Sequence, residues 1–426
     1  MIPKGYKHTE LGVLPEDWEV VRLGDVCDFL KTYSKSRSDL SEPQECINGI
    51  AYIHYGDIHT KFQHFLDMDK DTLPSIDSKK LAQDLEDIVF VKNGDLVIAD
   101  ASEDYDDIGK SIEIKNLSNP TVSGLHTILC RDKNNYFANG YKGYMFYLYE
   151  VHKQIKRLAC GISVLGISKS NLSKILIPLP PLTEQEKIAE ILSAWDTQIQ
   201  NFETLIAEKQ NLKKGLCQTL LTAKTRLKGF SEDWEVVRLG DVCDVRDGTH
   251  ESPKPTTEGK ILITSKNLKG GKIDFLDSYH ISLEDFEAIN KRSKVEKYDI
   301  LMSMIGTVGE VAFVDIEPNF AIKNVVLFKM DGNEKFSKFL FFFFQSSIGK
   351  KHILGSLSGS TQKYITLDFL RNLQIPLPPF TEQEKIAEIL SEADNEITLL
   401  EQKLESLKSQ KRGLMQNLLN GKVRVK

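Results

Sequence analysis

Two stretches of the chain place apolar residues at alternating steps of four and three. The first runs Ile188, Leu192, Trp195, Ile199, Phe202, Ile206 and resumes at Leu216 and Leu220; the second runs Ile386, Leu390, Ala393, Ile397, Leu400, Leu404, Leu407, Leu414 and Leu418. Such steps keep one face of an α-helix apolar. Each stretch therefore predicts a helix of roughly 40 residues, ~60 Å long at ~1.5 Å per residue. Thr183 with Glu186, and Thr381 with Glu384, form an S/T-x-x-E capping box directly after a Pro-Pro pair, and predict that a helix begins at each. An amphipathic helix lying on a globular core carries a similar stripe, but the length favours a coiled coil. The simplest partner of each helix is the other one. Trp195 stands in the register of Ala393, as large and small residues exchanged between partners would. Equivalent helices that pair in a closed way are related by a pseudo-twofold axis, which makes the pair antiparallel.

Ahead of each helix the pattern changes to short alternating runs. Glu19–Leu23, Asp95–Ala99 and His126–Arg131 read as strands in the first half, with a helix over Tyr141–Leu158. Lys260–Thr264, Asp299–Met304, Glu310–Val314 and Asn324–Lys329 read as strands in the second, with a helix near Lys335–Ser347. The expected class is α+β, with two globular domains joined by a pair of long antiparallel coiled-coil helices. The domains expected are residues 1–180, a central helix 181–228, residues 229–378 and a C-terminal helix 379–426.

This organisation is written twice in the letters. EDWEVVRLGDVCD at Glu16–Asp28 recurs unchanged at Glu232–Asp244, 216 residues on. IPLPPLTEQEKIAEILS at Ile177–Ser193 recurs at Ile375–Ser391, 198 residues on, with only Leu182 replaced by Phe380. Such identity requires duplication or recombination between related genes. The two offsets differ by 18, so the first copy carries 18 more residues between its blocks, and there the two copies hardly resemble each other. Identical frames enclose different contents.

The bulk properties narrow the class further. With 426 residues, 41% hydrophobic and 27% charged, the chain can build several cores and is not chiefly disordered. A net charge of −6 argues against a free-standing DNA binder, so any contact with phosphates must use local basic patches. The longest purely apolar run, Phe339–Phe344, is far too short to span a bilayer and predicts a buried helix segment. No secretory leader is legible, which predicts a cytoplasmic protein. None of the six cysteines forms a CxxC pair, and Cys27 and Cys243 fall at the same place in the two copies, so they read as reduced core thiols.

Catalytic signatures are missing. There is no Asn/Asp-Pro-Pro-Tyr motif, no glycine-rich turn opening a Rossmann helix and no GxxxxGK[ST]. Glu113-Ile-Lys115 is similar to the last two members of a nuclease carboxylate-carboxylate-lysine site, but no well-placed upstream aspartate completes it, and it reads as surface charge on a strand. His54, His59 and His64 recur every five residues without tetrahedral metal partners and read as surface positions.

The loops between the strands are rich in groups that meet base edges and phosphates. Asn and Gln suit adenine, Lys suits guanine, and Ser or Thr suits phosphate. In the second copy the candidates are Thr249, His250, Ser252 and Lys254, then Lys266 and Asn267, then Ser303 and Thr307, and last Ser360, Thr361, Gln362, Lys363 and Tyr364. The first copy has no DGTH, and its counterpart of GSTQKYI reads Gly161-Ile-Ser-Val-Leu-Gly-Ile167. Its candidates are Lys35, Ser36, Tyr55, His59, Ser102, Ser123 and His126.

EDWEVVRLGDV in each copy, DGTHESPK at 247–254, LMSMIGTVGEVA at 301–312, GSTQKYI at 359–365 and IPLPPxTEQEKIAEIL in each copy resemble the specificity subunits of type I restriction-modification enzymes. The likeness covers essentially the whole chain. It implies two target recognition domains, each reading one half of an asymmetric bipartite DNA site, held apart by the helices. It implies a non-catalytic chain that assembles with double-stranded DNA, two modification (methyltransferase) subunits and two restriction (translocase and nuclease) subunits. It implies no cofactor here, with S-adenosylmethionine, magnesium and ATP bound by those partners. The rival readings are a self-contained methyltransferase or nuclease, and a coiled-coil adaptor that binds only proteins.

Overall fold

A computed structural model describes residues 2–42, 49–82, 85–355 and 364–425, with Leu85 and Leu354 described by backbone alone. The chain divides into two units, Met1–Asn201 with Leu404–Lys426, and Phe202–Lys403. Each unit thus takes one globular domain, the first half of the helix that follows it and the second half of the other helix.

In the first unit the strands are β1 (Glu19–Arg22), β2 (Cys27–Leu30), β3 (Gly49–Ile53), β4 (Phe65–Asp67), β5 (Ser75–Asp77), β6 (Leu96–Ala99), β7 (Ser111–Lys115), β8 (Thr121–Ser123), β9 (Thr127–Asp132) and β10 (Leu176–Leu179). They form a five-stranded sheet in the order β2-β9-β6-β7-β4, a three-stranded sheet β8-β3-β5 and the pair β10-β1. Neighbours in the five-stranded sheet are antiparallel except β7 and β4. In the second unit the strands are β11 (Glu235–Arg238), β12 (Asp244–Asp247), β13 (Lys260–Thr264), β14 (Tyr279–Ile281), β15 (Ile300–Ser303), β16 (Val311–Phe313), β17 (Phe320–Lys323), β18 (Val325–Lys329) and β19 (Gln374–Leu377). Their sheets run β12-β18-β15-β16, β14-β13-β17 and β11-β19. The two plans correspond except at β4, the fifth strand of the first unit's large sheet, where the second unit's sheet has four strands. The first copy is longer mainly in its connections: residues 31–48 precede β3 where 248–259 precede β13, and 100–110 follow β6 where 304–310 follow β15.

The repeated letters are two halves of one frame. In each unit the EVVR strand pairs antiparallel with the strand ending in Pro-Leu: Val21 lies opposite Ile177, and Val237 opposite Ile375. Gly24 then passes so close to the neighbouring turn that a β-carbon there would lie 2.8 Å from Ser173 Cβ; Gly240 makes the same approach to Arg371. The Trp18 indole donates to the Glu184 carboxylate at 2.8 Å, and Trp234 donates to Glu382 at 3.0 Å. Both glutamates are buried. Each also accepts a two-pronged arginine, Arg424 on Glu184 and Arg226 on Glu382, which neutralises a carboxylate that burial alone would penalise. These arginines occupy the same place at the ends of the two long helices.

Those helices are α2 (Leu182–Leu220) and α5 (Phe380–Leu419), with α1 (Tyr149–Leu158), α3 (Leu283–Ser293) and α4 (Glu334–Gln345) inside the domains. Each long helix begins one residue ahead of its expected threonine cap. Glu184 and Gln185 donate their amides to Pro181 O, and Glu382 and Gln383 do so to Pro379 O, which leaves Thr183 and Thr381 inside the first turn. In the first unit α2 and α5 run antiparallel, Asp196 facing Lys411; in the second, Lys213 faces Asp394 and Lys209 faces Glu396. The pairs Asp196–Lys411 and Lys213–Asp394 exchange equivalent positions, the reciprocity of an isologous contact.

Neither helix is a coiled coil throughout. Ile188 and Leu192 join Trp18, Tyr141 and Tyr144 in the first core, and Met415, Leu418 and Leu419 of α5 join the same core. Cys217 and Leu220 of α2, with Leu221 just beyond it, join Phe339–Phe344, Ile386 and Leu390 in the second. At its ends each stripe is a core face. Three of those phenylalanines, Phe339, Phe343 and Phe344, are almost wholly buried, each contributing about 1.5–3 kcal/mol by burial. The helix expected over Tyr141–Leu158 is interrupted: a single turn, Lys142–Met145, precedes α1, and the chain bends at Leu148, whose backbone is extended. Among the described cysteines, Cys27, Cys130, Cys217 and Cys243 are buried, whereas Cys160 is exposed and is not a core thiol.

Candidate nucleic-acid interface

Four connections of the second unit converge where β12, β13, β15 and β17 end and β18 begins. Gly248 N donates to Val325 O at 2.9 Å, Thr249 N to Ile322 O at 3.0 Å, and Asn324 N to Thr249 O at 3.1 Å. Ser265 Oγ donates to Asn324 O at 2.5 Å, and Ile365 N to Met304 O at 3.4 Å. These bonds draw DGTH, the turn after β13, the turn after β15 and Ile365, the last residue of GSTQKYI, into one cluster. Asn324 sits at its centre with φ +53°, in the left-handed region that asparagine enters more readily than most residues.

His250 is exposed and bridges the cluster. Its Nδ1 lies 2.9 Å from Asn324 Oδ1 and its Nε2 lies 2.8 Å from Asp247 Oδ2. With an acceptor at each ring nitrogen, the doubly protonated imidazolium is favoured. Its pKa is raised by the Asn324 bond first and the Asp247 bond second. Arg292, on α3, reaches the same Asp247 at 2.5 Å, and Lys323 donates to Ser252 Oγ. Lys254, Lys266, Thr307 and Tyr364 are exposed and Thr249 is half-buried. The cluster is thus locally cationic on a chain that is acidic overall.

Two expected contacts fail on burial. Asn267 is fully buried; its carbonyl accepts from Thr264 and its amide donates to Asp274 O. Ser303 is fully buried too, donating to Thr307 O and accepting from Glu310 N. Both hold turns and present nothing to a base edge. Ser360, Thr361, Gln362 and Lys363 lie outside the described residues.

The first unit builds the same cluster from other chemistry. Tyr33 N donates to Ser123 O at 2.9 Å, Asp100 N to His126 O at 3.0 Å, and Ile167 N to Asp100 O at 2.8 Å, matching the bonds of the second unit. His126, with φ +51°, occupies the place of Asn324; it is exposed and its Nδ1 lies 3.2 Å from Asp100 Oδ1. Its ring meets Tyr55 edge-on at 5.2 Å, and Tyr55 packs on His54 at 4.7 Å. Ser36 is exposed and closes a small capping box with Asp39, while Lys35 is half-buried. Ser102 and Ser123 are buried, with hydroxyls engaged by Asp104 and Thr127 respectively, so they also serve the fold.

The three histidines at steps of five are not simple surface positions. His54 is buried and caps a helical turn by accepting from Gly56 N, and burial depresses its pKa. His59 is half-buried against Ala101 O. His64 is buried with Nε2 2.9 Å from Lys411 Nζ, its pKa driven to about 3 by burial and then by that ammonium, so it is neutral near pH 7. Glu113 is likewise not surface charge: it is 1% exposed, and its carboxylate accepts Gly140 N and Gly143 N beside Lys142. Asp95, on the neighbouring strand edge, faces Ile114 rather than Glu113 in the register and is held by Arg131. The nuclease-like triplet therefore never converges. Among the described residues no group of three or more His, Cys, Asp or Glu side chains is placed to hold a metal ion, and no helix is long and apolar enough to cross a membrane. A cleft of about 990 Å³ in the second unit, between the helix pair and α4, shares none of the cluster's candidate residues.

Arg292, Lys323 and Asn324 carry no expectation from the sequence motifs. Asn324 carried a signal, an asparagine directly before an apolar run. Arg292 carried none, because only the fold brings α3 to Asp247.

The profile of the "Type I restriction modification DNA specificity domain" matches residues 15–210 and 231–409. The chain is 29% identical over 430 residues to the type I restriction enzyme MjaVIII specificity subunit of Methanocaldococcus jannaschii, covering 97% of this chain and 94% of that one. It is 26% identical over 283 residues to the EcoBI specificity subunit of Escherichia coli, covering 60% and 58%. Its fold is similar to the crystal structure of a type I restriction-modification S subunit from M. genitalium, with TM-score 0.56 at 16% identity over 94% of this chain and 96% of that one.

Proposed function

Because the chain belongs to the type I restriction-modification DNA specificity family, we propose that each unit reads one half of a bipartite, asymmetric DNA target through its loop cluster. The chain is the sequence-recognition subunit of a type I system and is not itself an enzyme. The observation that carries the half-by-half reading is the pairing of equivalent frames with inequivalent clusters. The same backbone bonds present His250, Asn324, Lys266 and Lys323 in one unit and Tyr55, His59, His126 and Asp100 in the other. Lysines there supply the local phosphate affinity that the whole-chain charge does not.

In this reading the recognition domains are residues 1–180 and 229–378, and the connecting segments 181–228 and 379–426 set the spacer. Two modification subunits dock on those helices and two restriction subunits join the full enzyme. S-adenosylmethionine, magnesium and ATP are bound by the partners. The exposed candidates His250, Ser252, Lys254, Lys266, Thr307, Tyr364, Ser36 and His126 and the half-buried Thr249, Lys35, Tyr55 and His59 supply contacts, together with Ser360, Thr361, Gln362 and Lys363.

The test is methylome sequencing of cells expressing the chain with its modification subunit, wild type and with Thr249→Ala. Two short motifs at a fixed separation are expected. The variant should relax the motif of one half only, by about 1–3 kcal/mol if Thr249 touches a base. Methylation with no bipartite motif, or equal loss at both halves, would overturn the assignment.

A further inference from the structure

The loop of the first unit that takes the place of GSTQKYI ends in an apolar tip. Ile162 is wholly exposed and Val164 is 52% exposed. Single exposed apolar residues are ordinary on any surface. This pair differs because the fold builds a tight, hydrogen-bonded turn to present it. Cys160 and Gly166 exchange both backbone bonds, at 2.9 and 2.8 Å, closing the loop at its base. Leu165 and Gly166 pair with Ser102 and Ala101. Gly161, with φ +142°, lets the chain fold so tightly that a β-carbon there would lie 1.9 Å from Val164 O. Ile167 N then bonds Asp100 O, and the Asp100 side chain holds His126. The tip is therefore anchored directly to the candidate interface, and its side chains have no role in the core.

We propose that Ile162 and Val164 read a thymine in the first half-site by packing on its 5-methyl group in the major groove. The inference rests on the recognition role proposed above. The partner is set by chemistry: Ser163 is the tip's one polar side chain, and a single hydroxyl, which bonds donors and acceptors alike, discriminates poorly between bases. The thymine methyl is the apolar feature the major groove offers. In the sequence of the second copy the corresponding letters are Ser360-Thr361-Gln362-Lys363, a polar set.

The experiment uses the full chain assembled with its modification subunits. Selection from random duplexes first defines both half-sites, and each thymine of the first is then replaced singly by deoxyuridine, which lacks the methyl. For the wild type, one replacement should weaken binding about fourfold, the equivalent of ~0.8 kcal/mol for one buried methyl. For Ile162→Ser with Val164→Ser, affinity for the thymine duplex should fall at least as far, and deoxyuridine at that position should cost nothing more. Affinity for the second half-site, probed by its own base changes, should stay as in the wild type, which also reports that the variant is folded. A first half-site without thymine, deoxyuridine tolerated everywhere by the wild type, or a variant that keeps the deoxyuridine penalty would each overturn the proposal. Failure of the wild type to select any half-site would instead overturn the recognition role itself.

Discussion

Replacing Arg424 by alanine removes both prongs from Glu184. The structure gives Arg424 Nε on Oε1 at 2.8 Å and Nη2 on Oε2 at 2.9 Å, with Nη2 also 2.6 Å from Asp17. What remains is a 4% exposed carboxylate with the Trp18 indole and the Val425 amide as donors. Breaking a buried pair by removing one member costs about 3–5 kcal/mol. The Arg424 side chain is 20% exposed, so water regains part of the loss and the lower figure, about 3 kcal/mol, is expected. The measurement is hydrogen exchange across the chain: amides of β1 and β10 should lose protection by about two orders of magnitude, a factor of ten per 1.4 kcal/mol. The double variant Arg424→Met with Glu184→Gln should recover more than half, because no buried charge is stranded. The reasoning is refuted if Arg424→Ala changes protection less than threefold, or if the double variant is as unstable as the single one.

Further outcomes follow from the geometry. Arg226→Ala should reproduce the loss in β11 and β19 of the second unit, where Glu382 is 1% exposed; exchange confined to β1 and β10 would contradict the equivalence of the frames. His250 has a raised pKa, so the stability and DNA affinity its cation lends are complete below its ordinary pKa of about 6.5 and fade as pH rises through the raised value. A binding titration should show second-half-site affinity falling with pH in the wild type and flat in His250→Gln. Gly161→Ala should disorder the apolar tip and weaken only first-half recognition, measured by the same base changes; an intact specificity would mean the turn is irrelevant. Four residues inserted at the equivalent positions after Asn201 and Leu399 lengthen both helices by about 6 Å. The methylome should then report a longer spacer with unchanged half-sites, and an unchanged spacer would refute the proposal that the helices set it.

Much of the architecture was legible because periodicity and repetition survive without knowledge of tertiary contacts. The stripes of α2 and α5 showed helices, and the duplicated blocks showed two equivalent frames. The strand patterns at Lys260–Thr264 and Leu96–Ala99 were clear because their apolar runs are bounded by turn residues. What escaped was tertiary in origin. Thr183 looks like a cap, yet the proline pair already starts the turn. Glu184 looks like solvent-facing charge on a first turn, yet Trp18 and Arg424 converge on it from distant parts of the sequence. Asn267 and Ser303 have the right chemistry for readout, but burial of a loop polar group depends on which strands flank it. Asp247 and His250 were legible as parts of DGTH, but the second cationic partner of Asp247 was not, since Arg292 comes from a helix outside the motif.

The left-handed backbone shared by His126 and Asn324 reaches beyond the contacts it makes. At that φ a β-branched side chain is strained, and glycine, asparagine, aspartate and histidine are the residues most easily accommodated. The loops on either side differ between the two copies, yet this position draws on a short alphabet, so one letter of each reading surface is chosen by the backbone before any base is met.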